Sequence, residues 1–210
     1  MQKNDGISMS VIRRLPRYYR FLCELKERRI ERVSSTKLAE IMNTTASQVR
    51  QDLNCFGGFG QQGYGYSVSQ LKEEIQKILG LNNNYKAILI GAGNFGSAIA
   101  KHLDFDKLGF ELIGCFDSDP AKKGESLGDL TVQSDGDIEA FCSQNRIDAA
   151  FLCIPRSSAE RTVARLYGLG IRSYWNFSHY DIASRYPDAV VENVHLNDNL
   201  MTLCYRMTNN

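Results

Sequence analysis

Gly91, Gly93 and Gly96, in the run GAGNFG, and Asp117, 21 residues beyond Gly96, are the residues whose types and spacing most directly suggest chemistry. The spacing G-x-G-x-x-G suits a pyrophosphate. Gly91 permits a tight turn, Gly93 lets backbone approach the phosphates, and Gly96 lets a helix pack closely on a strand. Ala92, Asn94 and Phe95 complete the loop. The phosphates would rest on a helix N-terminus, where unpaired N–H groups and the helix dipole favour anions. Asp117 would accept hydrogen bonds from a ribose 2′-hydroxyl and repel a 2′-phosphate, which favours NAD(H) over NADP(H). The glycines could serve only turns and packing. The flanking pattern favours a cofactor: an apolar strand at Ala87–Ile90, a helix at Ser97–Leu103, and a strand at Leu112–Phe116 that runs into Asp117. Pro155, which closes a later apolar strand at Asp148–Ile154, joins the cofactor-binding set.

A second set of residues lies in the first third. Thr45 with Gln48 three residues on fits a capping box, in which hydroxyl and amide satisfy backbone N–H groups reciprocally. The helix it opens runs to about Asn54, burying Val49 and Leu53 and turning Ser47, Arg50, Gln51 and Asn54 outward. A polar outer face on the second of two short helices suits the major groove of DNA. Gln48 and Arg50 extend that face, and Arg50 is the candidate for a bidentate guanine contact. Arg13, Arg14 and Arg17 are placed to hold phosphates. Phe56 to Tyr66 interleaves five glycines with Phe59, Gln61, Gln62, Tyr64 and Tyr66, the composition of a Gly-turned hairpin. Gln61, Gln62 and Tyr64 would belong to that wing, with the glutamines able to enter an A·T-rich minor groove.

The elements that must carry these residues fall into two parts. Leu15-Pro16 starts a helix bearing Tyr18, Phe21, Leu22 and Leu25, and Ser34-Ser35 caps a second before the helix at Thr45. A further amphipathic helix covers Ser69–Leu79, and Leu81-Asn82-Asn83-Asn84 has linker composition. The pattern then alternates strand and helix: Ala159–Leu169 is helical, Ser173–Phe177 and Val190–Val194 are strands, and His195–Arg206 is a terminal helix too apolar to lie wholly exposed. The fold class is α/β: an N-terminal winged helix-turn-helix (1–80), a linker (81–84), a Rossmann-like doubly wound parallel sheet (85–194) and a terminal helix (195–210).

Composition narrows the function. Residues 1–85 carry 13 Lys+Arg against 8 Asp+Glu, and the remainder 12 against 16, so an anionic polymer would meet the first part alone. No apolar run is long enough for a membrane span, and the polar Met1–Ser10 has no secretory signal, which points to the cytoplasm. Six cysteines (23, 55, 115, 142, 153 and 204) form no C-x-x-C pair, so buried reduced thiols are expected in place of a metal site or disulfides. No Tyr-x-x-x-Lys pair is present, and His102, His179 and His195 are isolated. The cofactor therefore reads as a ligand and not as a reagent. Two alternatives stay open here: a small NAD-dependent oxidoreductase with an accessory DNA-binding-like module, and another adenine ligand such as coenzyme A.

The segments RRLPRYYRFL (Arg13–Leu22), SSTKLAE (Ser34–Glu40), QVRQDLNCFGGFGQQGYGY (Gln48–Tyr66), GAGNFG, FDSDPAKKG (Phe116–Gly124) and VVENVHL (Val190–Leu196) together resemble the Rex family of bacterial redox-sensing repressors. The resemblance implies a homodimer that binds a palindromic operator with NAD⁺ or no ligand and is released by NADH. It also implies that the terminal helix is domain-swapped into the partner subunit. The family commonly has a basic residue where this chain has Gln51, and basic residues in the wing where it has Gln61-Gln62. Fewer cations imply a shallower salt dependence of DNA binding. Some members couple an arginine, an aspartate and a tyrosine between subunits; the matching positions here are Arg20, His195 and His102, so that charge network does not carry over.

Overall fold

The computed structural model describes residues 7–57, 60–61 and 64–209, with Gly60 and Gln61 placed by their backbone alone. The chain divides between Asn82 and Asn83 into two compact units.

The first unit is helical with a small sheet. Its elements are α1 (Met9–Ile12), α2 (Leu15–Glu27), β1 (Arg32–Val33), α3 (Ser35–Met42), α4 (Ala46–Asn54), β2 (Gly60–Gln61), β3 (Gly65–Ser67) and α5 (Val68–Ile78). Side-chain caps start the helices where the sequence asks for them. The Ser34 hydroxyl accepts from Lys37 N at 3.0 Å and the Thr45 hydroxyl from Gln48 N at 3.1 Å. Between α3 and α4 the chain turns through Asn43, a left-handed residue at φ 48°. The expected capping box is only half made, because the Gln48 amide turns to Asp52 and not to the Thr45 backbone. β1, β3 and β2 form an antiparallel sheet, β2–β3 being the wing. Gly65 is required there: at φ +69° a Cβ would fall 2.6 Å from Val33 O. Leu15, Tyr18, Leu22, Leu38, Val49, Leu53, Leu71 and Ile75 make the core.

The second unit contains β4 (Tyr85–Ile90), α6 (Asn94–His102), β5 (Phe110–Asp117), β6 (Ser126–Leu127), β7 (Leu130–Ser134), α7 (Ile138–Gln144), β8 (Ala149–Leu152), α8 (Arg156–Gly168), β9 (Ser173–Asn176), α9 (Ile182–Arg185), β10 (Val190–Asn193) and α10 (Leu196–Thr208). The sheet order is β10-β9-β8-β4-β5-β7-β6, parallel throughout except for the β6–β7 pair. Without β6 this is the Rossmann order 3-2-1-4-5-6 read from the opposite edge. Ile138, Val163, Leu166 and Ile182 of α7, α8 and α9 pack with Ile88, Ile90, Phe116 and Leu152, while Ile99 of α6 packs with Leu89, Cys115 and Val132. Phe105, Phe110, Phe151 and Trp175 line an open cavity of about 660 Å³.

Several boundaries differ from the sequence expectation, and β4 and β5 each begin two residues earlier than expected, at Tyr85 and Phe110. α6 and α8 begin at Asn94 and Arg156, three residues earlier than the apolar periodicity indicates, because Gly93 and Pro155 take the extended N-cap position themselves. β8 is correspondingly shorter, leaving the sheet after Leu152. α1, β1, β6, β7, α7 and α9 have no counterpart in the sequence reading. Among the described residues no helix is long and apolar enough to cross a membrane.

Candidate nucleotide and DNA-binding sites

β4 and β8 lie side by side at the centre of the second sheet. The chain leaves them for helices on opposite faces, and ligands bind in the crevice at such a switch point. The three glycines after β4 answer to different demands. Gly91 sits at φ +99°, and a Cβ there would fall 2.5 Å from Cys153 O. A Cβ on Gly96 would fall 1.9 Å from Gly91 O. A Cβ on Gly93 would meet no described atom within 4 Å. The fold itself requires the first and third glycines, whereas the space at the middle one is open to a ligand. Gly93 has no side chain to cap α6, so the first-turn amides of Asn94, Phe95 and Gly96 stand ready for an anion. Pro155 likewise starts α8 without a side-chain cap, from the adjacent strand end.

Asp117 ends β5 beside this loop. Its Oδ2 accepts from Ala92 N at 2.6 Å and its Oδ1 from Asp119 N at 2.8 Å. Each oxygen keeps a lone pair for a ribose hydroxyl. The sequence predicts the ribose contact; the bond that ties the glycine loop to β5 is a second role that only the structure shows. Phe95 is exposed and meets Phe177 edge-on at 5.0 Å, and Phe177 meets Trp175 at 4.5 Å, so an apolar wall adjoins the loop. Burial pushes the Cys115 and Cys153 thiols up to about 12, so both are uncharged packing groups.

In the first unit, α4 presents Ser47, Arg50, Gln51 and Asn54 to solvent, as the periodicity predicts. Arg50 donates to Ser35 Oγ at 3.1 Å, which holds its guanidinium over the α3–α4 surface. Arg13 and Arg17 are exposed. Arg14 is engaged within the unit. Its Nε and Nη2 bond the Asp52 carboxylate at 2.7 and 2.6 Å, so it is an internal brace with Nη1 left over. Asp52 is 1% exposed and also takes hydrogen bonds from Tyr18 Oη (3.0 Å) and Gln48 Nε2 (2.8 Å). Burial alone would raise this carboxyl; the hydrogen bonds and the Arg14 charge outweigh it and hold the group below the ordinary carboxylate range. On the wing, Tyr64 is exposed, and Arg32 Nε donates to its carbonyl at 3.0 Å with the guanidinium 5.9 Å from its ring. Arg32 of β1 is a cation against the wing that sequence reasoning missed. Gln61 is placed on β2, and Gln62 lies outside the described residues. His195 stands at the start of α10 with Nδ1 2.8 Å from His179 Nδ1 of the same chain.

A winged helix-turn-helix unit in one chain with a dinucleotide-type Rossmann crevice defines a nucleotide-responsive DNA-binding regulator. Two family models agree with the division: a putative DNA-binding protein N-terminus matches residues 6–54 and a CoA binding domain matches residues 82–180. The chain belongs to the redox-sensing transcriptional repressor Rex family. It is 50% identical to the Rex of Thermoanaerobacter pseudethanolicus over 99% of its own length and 92% of the relative's. It is 47% identical to that of Clostridium perfringens, over 100% and 99%. Its structure resembles RSP in complex with β-NAD⁺ and operator DNA (TM-score 0.88, 48% identity, 97% of this chain and 93% of that one). It also resembles RSP in complex with β-NADH (TM-score 0.89, 46% identity, 97% and 95%).

Proposed function

We propose that this chain is a cytoplasmic transcriptional repressor that binds a palindromic operator when NADH is low and releases it when NADH fills the crevice beside Gly93. The observation that carries the reading is the open space at Gly93, between two glycines the fold cannot replace, in a chain that also presents a recognition helix. The similar structures with operator DNA and NAD⁺ and with NADH support the same pair of ligands. NAD(H) acts as a regulatory ligand, and the relatives' names make the chain a regulator and not an enzyme.

Two recognition helices must lie about one turn of DNA apart, ~34–36 Å, to bind a palindrome as a pair. The working unit is therefore a homodimer, held by α10 swapped onto the partner. Leu196, Leu200, Met201, Leu203, Tyr205 and Met207 are each more than half exposed on the single chain, an apolar surface that association would cover. NAD⁺ and NADH differ only in the nicotinamide ring, cationic when oxidised and neutral when reduced. An apolar pocket such as the wall of Phe95, Phe177 and Trp175 penalises the cation by desolvation. A hundredfold preference needs about 2.7 kcal/mol. NADH must also bind the DNA-free arrangement better than the DNA-bound one, since a ligand shifts an equilibrium only by its differential affinity.

The test is nucleotide titration of the full chain, read by fluorescence of Trp175, the one tryptophan. NADH binds tightest, NAD⁺ less tightly, and NADPH and coenzyme A weakest. Asp117→Ala weakens NADH and narrows its margin over NADPH. Equal affinity for NADH and NADPH in the wild type would contradict the assignment.

A further inference from the structure

The strongest unassigned feature is the hydrogen-bond arrangement on the inner edge of α4. Asp52 Oδ1 accepts from Arg14 Nη2 and Gln48 Nε2, and Oδ2 accepts from Arg14 Nε and Tyr18 Oη. Those four donors use the four lone-pair positions a carboxylate offers. An ionised carboxylate only accepts, so Gln48 must turn its amide nitrogen, and not its oxygen, toward Asp52. One N–H is spent there. Gln48 keeps Oε1 as an acceptor and a second N–H as a donor, in an order the buried carboxylate sets.

Gln48 is half-buried in the first turn of α4, flanking the exposed face of Ser47 and Gln51. The N-terminal residues of a recognition helix are those that reach base edges. An acceptor beside a donor complements adenine, whose N6 donates and whose N7 accepts. Guanine offers O6 and N7, both acceptors, and would set an oxygen against the Gln48 oxygen. We infer that Gln48 is a specificity-determining residue that reads an adenine in each operator half-site, with Asp52 as the positioning residue that locks its amide. This rests on the DNA-binding reading of α4 and adds a base identity to it.

The account explains why a full negative charge sits 1% exposed inside the helix that must meet DNA. An asparagine at 52 could donate as well as accept, and would leave the Gln48 amide free to flip. A flipped amide presents its nitrogen to the groove and tolerates guanine. Arg14 neutralises the carboxylate from behind and so keeps the charge compatible with nearby phosphates.

The experiment selects palindromic duplexes from a random-sequence pool with the full-length wild type, Gln48→Ala and Asp52→Asn, and compares base preferences position by position. The wild type enriches adenine at one symmetry-related position. Gln48→Ala loses that preference by roughly 5- to 150-fold, the span of ~1–3 kcal/mol for a bidentate base contact, and keeps the others. Asp52→Asn admits guanine at the same position, while its NADH affinity stays that of the wild type. A merely structural Asp52 would lower affinity for all sequences alike without changing the base admitted. Unchanged preference in Gln48→Ala overturns the inference while leaving the DNA-binding reading intact. A wild type that enriches no sequence overturns both.

Discussion

Replacing Gly93 by alanine separates a glycine kept for a ligand from glycines kept for the fold. The backbone there is extended, with φ −62° and ψ −179°, a conformation alanine adopts without strain. The added methyl meets no described atom within 4 Å. Loss of unfolded-chain freedom stabilises the variant by ~0.4–1 kcal/mol, and the poorer N-cap offsets a similar amount. The unliganded melting temperature therefore changes by less than the equivalent of about 1 kcal/mol. Gly96→Ala is the contrast: its Cβ would lie 1.9 Å from Gly91 O, so the helix start must move, at a cost of at least ~1–3 kcal/mol. NADH at a hundred times its dissociation constant stabilises the wild type by ~2.7 kcal/mol. At ~2–4 °C per kcal/mol, that is a rise of roughly 5–11 °C in the unfolding of the nucleotide-binding unit. In Gly93→Ala the methyl occupies the approach of the pyrophosphate, and the same NADH concentration raises the transition by less than about 2 °C. Scanning calorimetry of the three chains with and without NADH decides it. An undiminished NADH shift in Gly93→Ala, or an unliganded loss as large as that of Gly96→Ala, would refute the reasoning.

Arg50→Ala weakens binding to a selected operator by ~1–3 kcal/mol and relaxes preference at one pair, while NADH binding is unchanged; unaltered affinity and preference remove Arg50 from the reading surface. A chain truncated after Val194 loses the apolar surface of α10 and sediments as a monomer without cooperative operator binding, whereas a truncated dimer of full affinity contradicts the role given to that helix. The Asp52 carboxyl is held below the ordinary range, so its contribution to stability is present above about pH 4 and is lost as pH falls through the lower folded value. Arg14→Gln removes the main counter-charge and moves the acid-unfolding midpoint of the DNA-binding unit upward; circular dichroism against pH shows the shift, and an unmoved midpoint contradicts the brace.

The nucleotide crevice is legible in the sequence because each part of it has a local cause. Gly91 and Gly96 each serve one backbone requirement and Gly93 leaves space for a ligand, and strand, loop and helix follow one another within a short span. The start of α6 escapes periodicity because Gly93 caps with its backbone and carries no Ser, Thr or Asp signal. β1 is two residues long and has no period to read; it exists because β3 pairs with it. Asp52 reads in isolation as one more surface charge on a polar helix. Its burial depends on Tyr18 and Arg14, 34 and 38 residues away, and no local pattern announces such a pair. The same distance hides the second role of Asp117, whose bond to Ala92 N crosses 25 residues. The contact of His195 with His179, 16 residues earlier, is equally unannounced, since His179 is a left-handed residue at φ 58° whose placement follows from the turn after β9.

The central claim is that one redox state of the nucleotide lets go of DNA and the other does not. The direct measurement is fluorescence anisotropy of a labelled palindromic duplex, selected from a random pool, bound by the full chain and titrated with NADH, NAD⁺ and NADPH. NADH is predicted to release the duplex at concentrations about a hundredfold or more below those of NAD⁺, in keeping with a ring-burial preference near 2.7 kcal/mol, and NADPH to release it poorly. Release by NADH and NAD⁺ at equal concentrations would contradict redox sensing even with specific DNA binding in place.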